Sequence, residues 1–591
     1  MNQSQPSELT VRAVGAGLLV GCLIAASNVV IGLKIGLVFG ASIAAAVISF
    51  ALFKGMSVVL TRPYTPKETL ISATTGSAAG FMASAAGLTS AIPAMEMMGT
   101  RLSFGQLVIW AIAIAGLGVF FAVPLRRSMI VVDKLRFPSG TASATTIKAM
   151  FAAGHSALTR ARVLFFSGLG AVVITLLFSI KPLGLGGFQN LGFDDLGLTG
   201  VSILGVSLVA MKVGVSFSPM IWGAGILVGP RVGWSLLLGS VAAWLVGGPL
   251  LLRYELVGPA APLKEYSAAF KWLLWPAVSM MIFAGLTGLA FQYRTILKTF
   301  SAFAKSKTAT DGDLDDAPDR LPFGFWLGGL LFLAGLTVFL AWSIFDISPW
   351  MSLLAIVLSF VFCAIAMRAV GETDINPSGP MAKITQLLNG VLDPGCAASN
   401  LMTAGITAAG ASQGADLMSD FKAGYLLKAS IRRQVLAQLA GVLVGAVVVV
   451  GVYKALTAAY QIPGEGFLAP SARSWHTVAK VLEQGLAAIP DGALWATLLS
   501  GLLGIGLALL GRIKQIAKWV PSPVAIGIAF LVPPYYAIGI WLAALLTWLV
   551  RRSKPETVES YSASLASGLI AGEGITMVLI AVLIILGVGW V

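Results

Sequence analysis

The sequence carries too little charge for a soluble protein of its length. Only 11% of its 591 residues are Asp, Glu, Lys or Arg, and 57% are hydrophobic. So few charges could not cover the surface of a large globule in water. Apolar segments of about 20 residues recur along nearly the whole chain, each long enough to cross roughly 30 Å of hydrocarbon as a helix. We therefore expect an all-α polytopic membrane protein, because an outer-membrane barrel would show alternating segments of about 10 residues.

Cysteine and histidine are scarce as well. The three cysteines (Cys22, Cys363 and Cys396) are odd in number and form no CxxC pair, so neither a disulfide framework nor a thiolate metal site is indicated. The two histidines, His155 and His476, are far apart in the sequence. We expect no cofactor and no resident metal. A metal involved in function would arrive inside the substrate, since clusters of soft ligands are lacking.

Enzyme motifs are missing too. The chain has no Walker A sequence, no HExxH and no GxSxG with an accompanying histidine. A cluster of aspartates of the kind that binds a diphosphate with Mg²⁺ occurs only in DLDDAPD at 313–319, within the polar linker. We expect neither ATP-driven transport nor an enzyme. The net charge of +14 predicts basic loops held at the membrane interface rather than nucleic-acid binding.

The apolar segments predict about 16 spans in two similar halves, 1–293 and 322–591, joined by a polar linker at 294–321. In the first half the predicted spans are 10–33, 35–53, 70–91, 104–124, 162–180, 198–215, 232–252 and 271–292. In the second half they are 323–344, 349–369, 377–392, 397–416, 433–456, 493–511, 535–550 and 562–590. Two further segments, 217–230 and 521–534, are too short to cross and indicate re-entrant or broken pieces.

The two halves share short similar stretches. VVDKLRFPSG at 131–140 and LMSDFKAGYLL at 417–427 both follow a span rich in glycine and alanine and lead to a basic stretch. SPMIWGAGILVG at 218–229 and SPVAIGIAFLVP at 522–533 both begin with Ser-Pro. Because each half has an even number of predicted spans, the halves would be parallel repeats related by an axis along the membrane normal. Repeats with broken helices are typical of secondary transporters.

Loop charge predicts the orientation. The loop 125–162 is strongly basic and the loop 181–198 is acidic, so the first is expected in the cytoplasm, together with the N-terminus and the linker. Val11–Ile35 is predicted to be a retained span, because no cleavage pattern precedes it. The basic stretch RRSKPE at 551–556 contradicts this topology. With 16 spans this stretch would lie on the non-cytoplasmic side. Either one of the re-entrant pieces is a true span, or the charge rule fails there.

The stretch GETDINPSGPMAKITQ at 371–386 is the strongest candidate site. Glu372 and Asp374 lie between apolar runs, where a carboxylate needs a cavity, a partner or the interface. Asn376 and Pro377 predict a helix N-terminus, which suits an anion, and Gly379 would allow a ligand close to the backbone. The alternative is a cytoplasmic loop that caps a span.

Other polar residues in apolar surroundings are weaker candidates. Glu68 in TPKETLISATTG precedes a span rich in Ser and Thr, or it simply caps that helix. Gln413 and Asp416 share a helical face, whereas Asp420 and Lys422 are expected at the interface. In FPSGTASATTIK at 137–148, Ser139, Gly140 and Thr141 open a helix rich in Ser and Thr that either lines a cavity or packs through small polar groups.

Glu573 lies between two glycines in the apolar run SGLIAGEGITMVLIAVLIILG at 567–587. A lone carboxylate in a membrane segment is a natural proton carrier. The alternative is a structural hydrogen bond to another helix.

These stretches together resemble the oligopeptide transporter (OPT) family. The stretches that carry the resemblance are, in chain order, KETLISA, FPSGTASA, GETDINPSGPMAKITQL, GITAAGASQGADLMSDFKAGYLLKASIRRQ and GLIAGEGI. They occur in the order expected of the family, and the resemblance runs from about residue 10 to 590. It implies about 16 spans in two halves and secondary transport, usually proton-coupled symport. It also implies substrates that are small peptides or metal chelates, such as those of nicotianamine and phytosiderophores. FPSGTASA is nearer the yellow-stripe-like branch, which favours chelates.

We therefore interpret the chain as a proton-coupled importer in the inner membrane of a bacterium, acting on peptides or peptide-like metal chelates. Segments 65–80 and 372–390 would form the central site. Helix ends would hold anionic groups of the substrate, and Glu372, Asp374 or Glu573 would carry the proton. Alternatives are a proton-coupled exporter or antiporter, a membrane-embedded transferase and a channel. The oligomeric state stays open, and a homo-oligomer is compatible with the sequence.

Overall fold

The computed structural model describes residues 8–588 except 41, 56–61, 153, 181–188, 193–200, 258–264, 292, 294–320, 375 and 465. The linker predicted at 294–321 therefore lies almost wholly outside the described residues, as do most of the acidic loop at 181–198 and the side chain of His155. The described part of the chain is helical, with only four short strands. Eleven of its helices are long and apolar enough to cross a membrane. The polytopic all-α fold is confirmed, and the count of 16 spans is not.

The helices of the first half are α1 Val11–Ile35, α2 Ser42–Gly55, α3 Pro66–Ala85, α4 Ala91–Met97, α5 Phe104–Arg126, α6 Pro138–Ala152, α7 Gly154–Ser179, α8 Pro219–Ser240, α9 Gly248–Arg253 and α10 Glu265–Ala290. Those of the second half are α11 Phe323–Phe345, α12 Pro349–Thr373, α13 Ser378–Leu392, α14 Ala397–Leu427, α15 Ile431–Ala459, α16 Pro470–Gln484, α17 Ala493–Leu510, α18 Pro523–Leu531, α19 Pro534–Ser553 and α20 Pro555–Ile585. π-Helical turns follow α5 (Arg127–Val132) and α8 (Val241–Gly247).

The chain forms two compact units, and each contains segments from both halves of the sequence. Unit 1 comprises residues 1–29, 37–161 and 291–454, and unit 2 comprises residues 30–36, 162–290 and 455–591. These units are defined by contacts and do not test the repeat predicted for 1–293 and 322–591, which stays a prediction.

Close helix packing in unit 1 depends on glycine. Gly118 of α5 lies against the backbone of Gly410 in α14, and Gly140 of α6 lies against the carbonyl of Ser419 in the same long helix. A side chain at either glycine would overlap the opposite backbone. The high glycine content therefore lets α5 and α6 approach α14 closely, as small residues do between membrane helices.

In unit 2, α8 folds back on itself at Gly229. That residue has φ +76° and ψ 173°, outside the helical region, and Pro230 follows it. Gly225 and Gly233 both pack against residues 540–544 of α19, although eight residues of straight helix would advance about 12 Å. The segment before Gly229 is thus a short leg that runs alongside α19, and the segment after it returns. The prediction of a broken piece at 217–230 agrees with this geometry.

The short helix α18 is a second such leg. The backbone N–H of Ser522 donates to Ser235 Oγ (2.8 Å), and Trp244 Nε1 donates to the carbonyl of Ala529 (3.0 Å). α18 therefore runs in the same direction as the returning leg of α8, and opposite to the short leg at 219–228. The parallel relation expected for the two Ser-Pro segments does not hold for this pair.

α18 and α19 together explain the misplaced basic stretch at 551–556. Pro521, just before α18, and Trp548, near the end of α19, line one cavity. The chain thus leaves this end of unit 2 through α18 and comes back to it through α19. Residues 551–554 consequently lie at the same end of unit 2 as residues 511–521. The predicted topology placed them at opposite ends because it did not count α18 as a change of direction.

The span predicted at 198–215 is wrong over its described residues. Ser202–Ile203 pair with Val206–Ser207 in a hairpin, and Gly214–Ser216 pair with Asn190–Gly192. The hairpin turn consists of Leu204 and Gly205, both with positive φ, as two-residue turns require. The segment is apolar because Leu208, Met211 and Val213 belong to a hydrophobic cluster with Trp244, not because it crosses the membrane.

Candidate substrate cavity

Unit 1 contains a cavity of about 210 Å³, and seven of its thirteen described lining residues have polar side chains. Helices α2, α3, α6, α12 and α14 contribute to its wall. The described residues that line it are Gly40, Ser42, Ile43, Phe81, Ser139, Gly140, Val370, Asp374, Asn376, Ser412, Ala415, Asp416 and Ser419. Five of the twelve predicted site residues (Ser139, Gly140, Asp374, Asn376 and Asp416) are thus brought together at one place.

One wall of the cavity is the contact between the start of α6 and the end of α12. Asp374 Oδ1 accepts from the backbone N–H of Ser139 (3.0 Å), and Oδ2 accepts from Ser139 Oγ (2.6 Å). The Asp374 carboxylate therefore caps the first turn of α6 from a distant part of the chain, where it interacts favourably with the helix dipole. The backbone N–H of Phe137 also donates to the carbonyl of Gly371 (2.9 Å).

The other charges of 371–386 have partners close by. Arg368 Nε donates to Glu372 Oε1 (3.2 Å), and its Nη1 donates to Asp133 Oδ2 (2.6 Å). Lys383 Nζ donates to Gln386 Oε1 (2.9 Å). Glu372 and Lys383 do not line the cavity. For Glu372, these contacts at the end of α12 agree with the alternative in which the stretch caps a span.

The N-terminus of α13 is largely occupied by the chain itself. Asn376 Oδ1 accepts from the backbone N–H of Ser378 (3.1 Å), although the N-cap position is Pro377 and not the predicted Asn376. The N–H of Met381 donates to the carbonyl of Pro377, and Pro380 has none. Gly379 carries the remaining N–H of this turn. The anion site predicted at this helix end therefore has few donors left.

The opposite wall is the polar face of α14. Asp416 Oδ1 accepts from Ser77 Oγ (2.6 Å) and Oδ2 accepts from Gln438 Nε2 (3.2 Å). Gln413 Oε1 accepts from the same Gln438 Nε2 (3.1 Å), and Gln413 Nε2 donates to the carbonyl of Ala78 (3.1 Å). The predicted shared face of Gln413 and Asp416 is present, but only Asp416 reaches the cavity.

Asp420 lies one turn beyond Asp416, and it is buried inside unit 1 rather than exposed at a helix end. Its side chain is 1% exposed, and that of Lys422 is 9% exposed. Asp420 Oδ1 accepts from Ser42 Oγ (2.7 Å), and Ser42 lines the cavity. Oδ2 has no hydrogen bond with any described residue. The sequence suggested an exposed helix end, whereas α14 continues to Leu427 and keeps this turn inside unit 1.

Glu68 is not part of the cavity. It forms a capping box with Thr65 at the start of α3, and Arg12 holds it through Nε (2.9 Å) and Nη2 (2.8 Å). Its side chain is fully buried. The alternative of a capping glutamate accounts for all of these contacts.

Glu573 belongs to unit 2, and it is not the lone carboxylate that the sequence suggested. Its Oε1 accepts from Lys34 Nζ (2.6 Å), and both oxygens accept from Ser218 Oγ (2.7 and 2.6 Å). Oε2 also accepts from the backbone N–H of Met220 (2.8 Å). Glu573 therefore binds α20 to Lys34 and to the first turn of α8, which corresponds to the structural alternative. Its neighbour Gly572 packs closely on the backbone of Gly168 in α7, where a side chain would overlap.

Thr141, Pro377 and Gly379 lie near the cavity in sequence but do not line it. Sequence reasoning missed four residues: Ser42, Ser77, Asp420 and Gln438. For Ser42, Ser77 and Gln438, the only sign in the sequence was a polar side chain in an apolar helix, which predicts a buried polar contact only weakly. The contacts of Ser42, Ser77 and Gln438 with Asp416 and Asp420 join residues separated by 22 to 378 positions.

The part of the chain that the structure describes has eleven helices able to span a bilayer and a cavity between helices whose lining includes two carboxylates, features of a polytopic membrane transport protein. The chain belongs to the family of the OPT oligopeptide transporter protein, whose model matches residues 8–584. A putative oligopeptide transporter, YGL114W of Saccharomyces cerevisiae, is 26% identical and covers 99% of this chain and 97% of its own length. A probable metal-nicotianamine transporter, YSL6 of Oryza sativa subsp. japonica, is 25% identical over 98% of this chain and 92% of its own. The metal-nicotianamine transporter YSL2 of Arabidopsis thaliana is 24% identical, with coverages of 96% and 92%.

Proposed function

We propose that this protein is a secondary active transporter that imports small oligopeptides or peptide-like metal chelates with protons across a bacterial inner membrane, its N-terminus in the cytoplasm. Family membership supports transport of one of these classes. The polar cavity of unit 1 is the proposed substrate site. The basic loop at 125–162 supports the orientation.

The charge of the cavity is the observation that carries the proposal. Of the described residues that line it, Asp374 and Asp416 are the charged ones, and both are acidic. Such a site favours a cationic group, and the ammonium group of a peptide or of an amino-acid-derived chelator is one. This revises the expectation that helix ends hold the substrate's anionic groups.

The size of the cavity limits what it can enclose. Its volume of about 210 Å³ is below the roughly 300–1,000 Å³ of pockets that enclose drug-sized ligands. In this conformation it fits the amino end of a substrate. The described residues contain no group of three or more His, Cys, Asp and Glu that could hold a metal. A transported metal would therefore stay within its chelator.

Asp416 and Asp420 are the proposed proton-binding groups. They lie one turn apart on α14, both are buried, and neither forms an ion pair with a described residue. Burying two carboxylates without a cation costs free energy that a proton or a substrate ammonium would recover. Glu573 is a poorer carrier than its sequence suggests, because Lys34 already balances its charge.

The test is uptake by purified protein in liposomes with an imposed proton gradient, using a pool of di- to pentapeptides and a panel of ferric and nickel chelates read by mass spectrometry. We expect gradient-dependent accumulation of one class. Asp416→Asn should lower accumulation and raise the KM for substrates with a free amino group more than for N-acetylated ones. Glu483→Gln, at an exposed position of α16, is the matched control.

Three outcomes would contradict the proposal. Substrate entry that is independent of the proton gradient and stops at equilibrium, by protein shown to be folded and inserted, would exclude symport and favour a channel. Outward movement of substrate against an inward proton gradient would favour the exporter. Equal effects of Asp416→Asn and Glu483→Gln would remove the cavity from the substrate path.

A further inference from the structure

Unit 2 contains a second, larger cavity, of about 600 Å³, at the end where α19 finishes. It lies between the Gly229 turn of α8, the segment 511–521 and the last turns of α19. Its described lining residues are Pro230, Arg231, Trp234, Ser235, Leu238, Lys518, Trp519, Pro521 and Trp548. This lining combines tryptophan and basic side chains.

The end of unit 2 around this cavity is strongly basic. Seven exposed Lys and Arg residues come from three segments: Arg231, Arg512, Lys514, Lys518, Arg551, Arg552 and Lys554. The described residues of these segments, 230–238, 511–521 and 548–554, contain no Asp or Glu. Arg231 Nε donates to the carbonyl of Val520 (2.9 Å), which fixes the guanidinium at the mouth of the cavity. The site therefore complements an anion.

The aromatic residues place the cavity at the boundary between hydrocarbon and water. Trp519 is 79% exposed and Trp234 is 48% exposed. The Arg552 guanidinium lies 3.8 Å from the centroid of the Trp548 ring. Tryptophan is enriched at both membrane interfaces, where its apolar ring and polar N–H meet different solvents. α19 is a candidate span that ends in Arg551 and Arg552, consistent with that position.

The apolar part of the lining continues into exposed apolar surface. Leu238 is 54% exposed, and Val241 and Val246 further along the same leg are 40% and 49% exposed. A ligand whose anion lies beside Arg231 and Lys518 can therefore extend an apolar chain along the returning leg of α8. A small soluble anion would use only the basic part of this surface.

We propose that this cavity binds the headgroup of an anionic phospholipid, with Arg231 and Lys518 at the phosphate, the tryptophans around the glycerol region and an acyl chain along Leu238. Basic pockets between membrane helices bind anionic headgroups through the same chemistry. The inference is independent of the transported substrate.

The experiment measures lipid binding to the purified full-length protein by native mass spectrometry, with phosphatidylglycerol and phosphatidylcholine of identical acyl chains. We expect preferential binding of phosphatidylglycerol. The double variant R231Q/K518Q should weaken that binding roughly 30-fold, the factor that two basic side chains give at an anionic lipid surface. The control K148Q/R432Q removes two exposed cations from unit 1 and should bind like the wild type.

A charge-retaining variant, R231K/K518R, separates binding from folding, because it should keep the preference for phosphatidylglycerol. Three results would overturn the proposal: equal binding of the two lipids, no loss in R231Q/K518Q, or an equal loss in the unit 1 control. Thermal stabilisation by inorganic phosphate alone, equal to that by phosphatidylglycerol, would assign the site to a soluble anion instead.

Discussion

The buried ion pair between Lys34 and Glu573 allows a sharp test of what Glu573 does. The Lys34 side chain is 4% exposed and the Glu573 side chain is fully buried, with Nζ 2.6 Å from Oε1. Removing one partner of a buried pair leaves an uncompensated charge and costs about 3–5 kcal/mol. We therefore expect Lys34→Met and Glu573→Gln each to lower the free energy of unfolding by that amount.

The double variant K34M/E573Q should lose less unfolding free energy than the sum of the losses in the two single variants. It leaves no buried charge, and the glutamine amide can still accept hydrogen bonds from Ser218 and Met220. Contacting residues in such networks show interaction energies of about 0.5–3 kcal/mol, and we expect a value near the upper end. The assay is a double-mutant cycle of reversible unfolding in mixed micelles. Additivity within about 0.5 kcal/mol would refute the reasoning.

Uptake by the same three variants distinguishes a structural pair from a proton carrier. If the pair is structural, transport is lost in each single variant and recovers in K34M/E573Q. If Glu573 carries the proton, the double variant stays unable to accumulate substrate against a gradient while exchange down a gradient persists. If K34M/E573Q regains substrate exchange but not accumulation against a gradient, Glu573 is the proton carrier that the sequence suggested.

Three further predictions follow from backbone geometry. Gly140→Ala should cost about 1–3 kcal/mol of unfolding free energy and distort the cavity, because its Cβ would overlap the Ser419 carbonyl; Gly170→Ala, where a Cβ meets nothing within 4 Å, should be tolerated. Gly229→Ala should cost about 1–3 kcal/mol, since φ +76° with ψ 173° is essentially restricted to glycine, and an unchanged melting temperature would contradict the turn of α8 at Gly229. Asp374→Ala should cost about 0.5–2 kcal/mol by removing the cap of α6, and hydrogen exchange of the first turn of α6 would report it.

Much of the helical framework follows from apolar segment length, and the errors have a physical origin. Runs such as 323–344 and 349–369 were located to within a few residues, because about 20 apolar residues specify a helix in hydrocarbon regardless of their neighbours. The segment 198–215 has similar hydropathy, but its described residues form short strands and turns against a buried cluster around Trp244. Hydropathy reports removal from water and cannot distinguish burial in lipid from burial in protein.

The site shows the same division. Asn376 was expected to cap a helix from its position before Pro377. The helix start was located to within one residue: the N-cap is Pro377, and the Asn376 side chain accepts from the N–H of Ser378. Interactions of this kind join residues two or three apart and are local. Glu573 was expected to be alone, because its partner Lys34 is 539 residues away. Local sequence also gave no sign that Asp420 is buried beside Asp416.

Composition and the lengths of apolar segments decide that this chain is a polytopic helical membrane protein, since the cost of exposing backbone to lipid leaves few other folds. Short-range motifs decide where individual helices begin and end. Which carboxylates share a cavity, which are neutralised by a distant lysine or arginine, and where α8 and α18 turn back are decided only by the tertiary structure. These properties depend on pairs of residues that are far apart in the chain, and a pair energy exists only once packing brings both partners together.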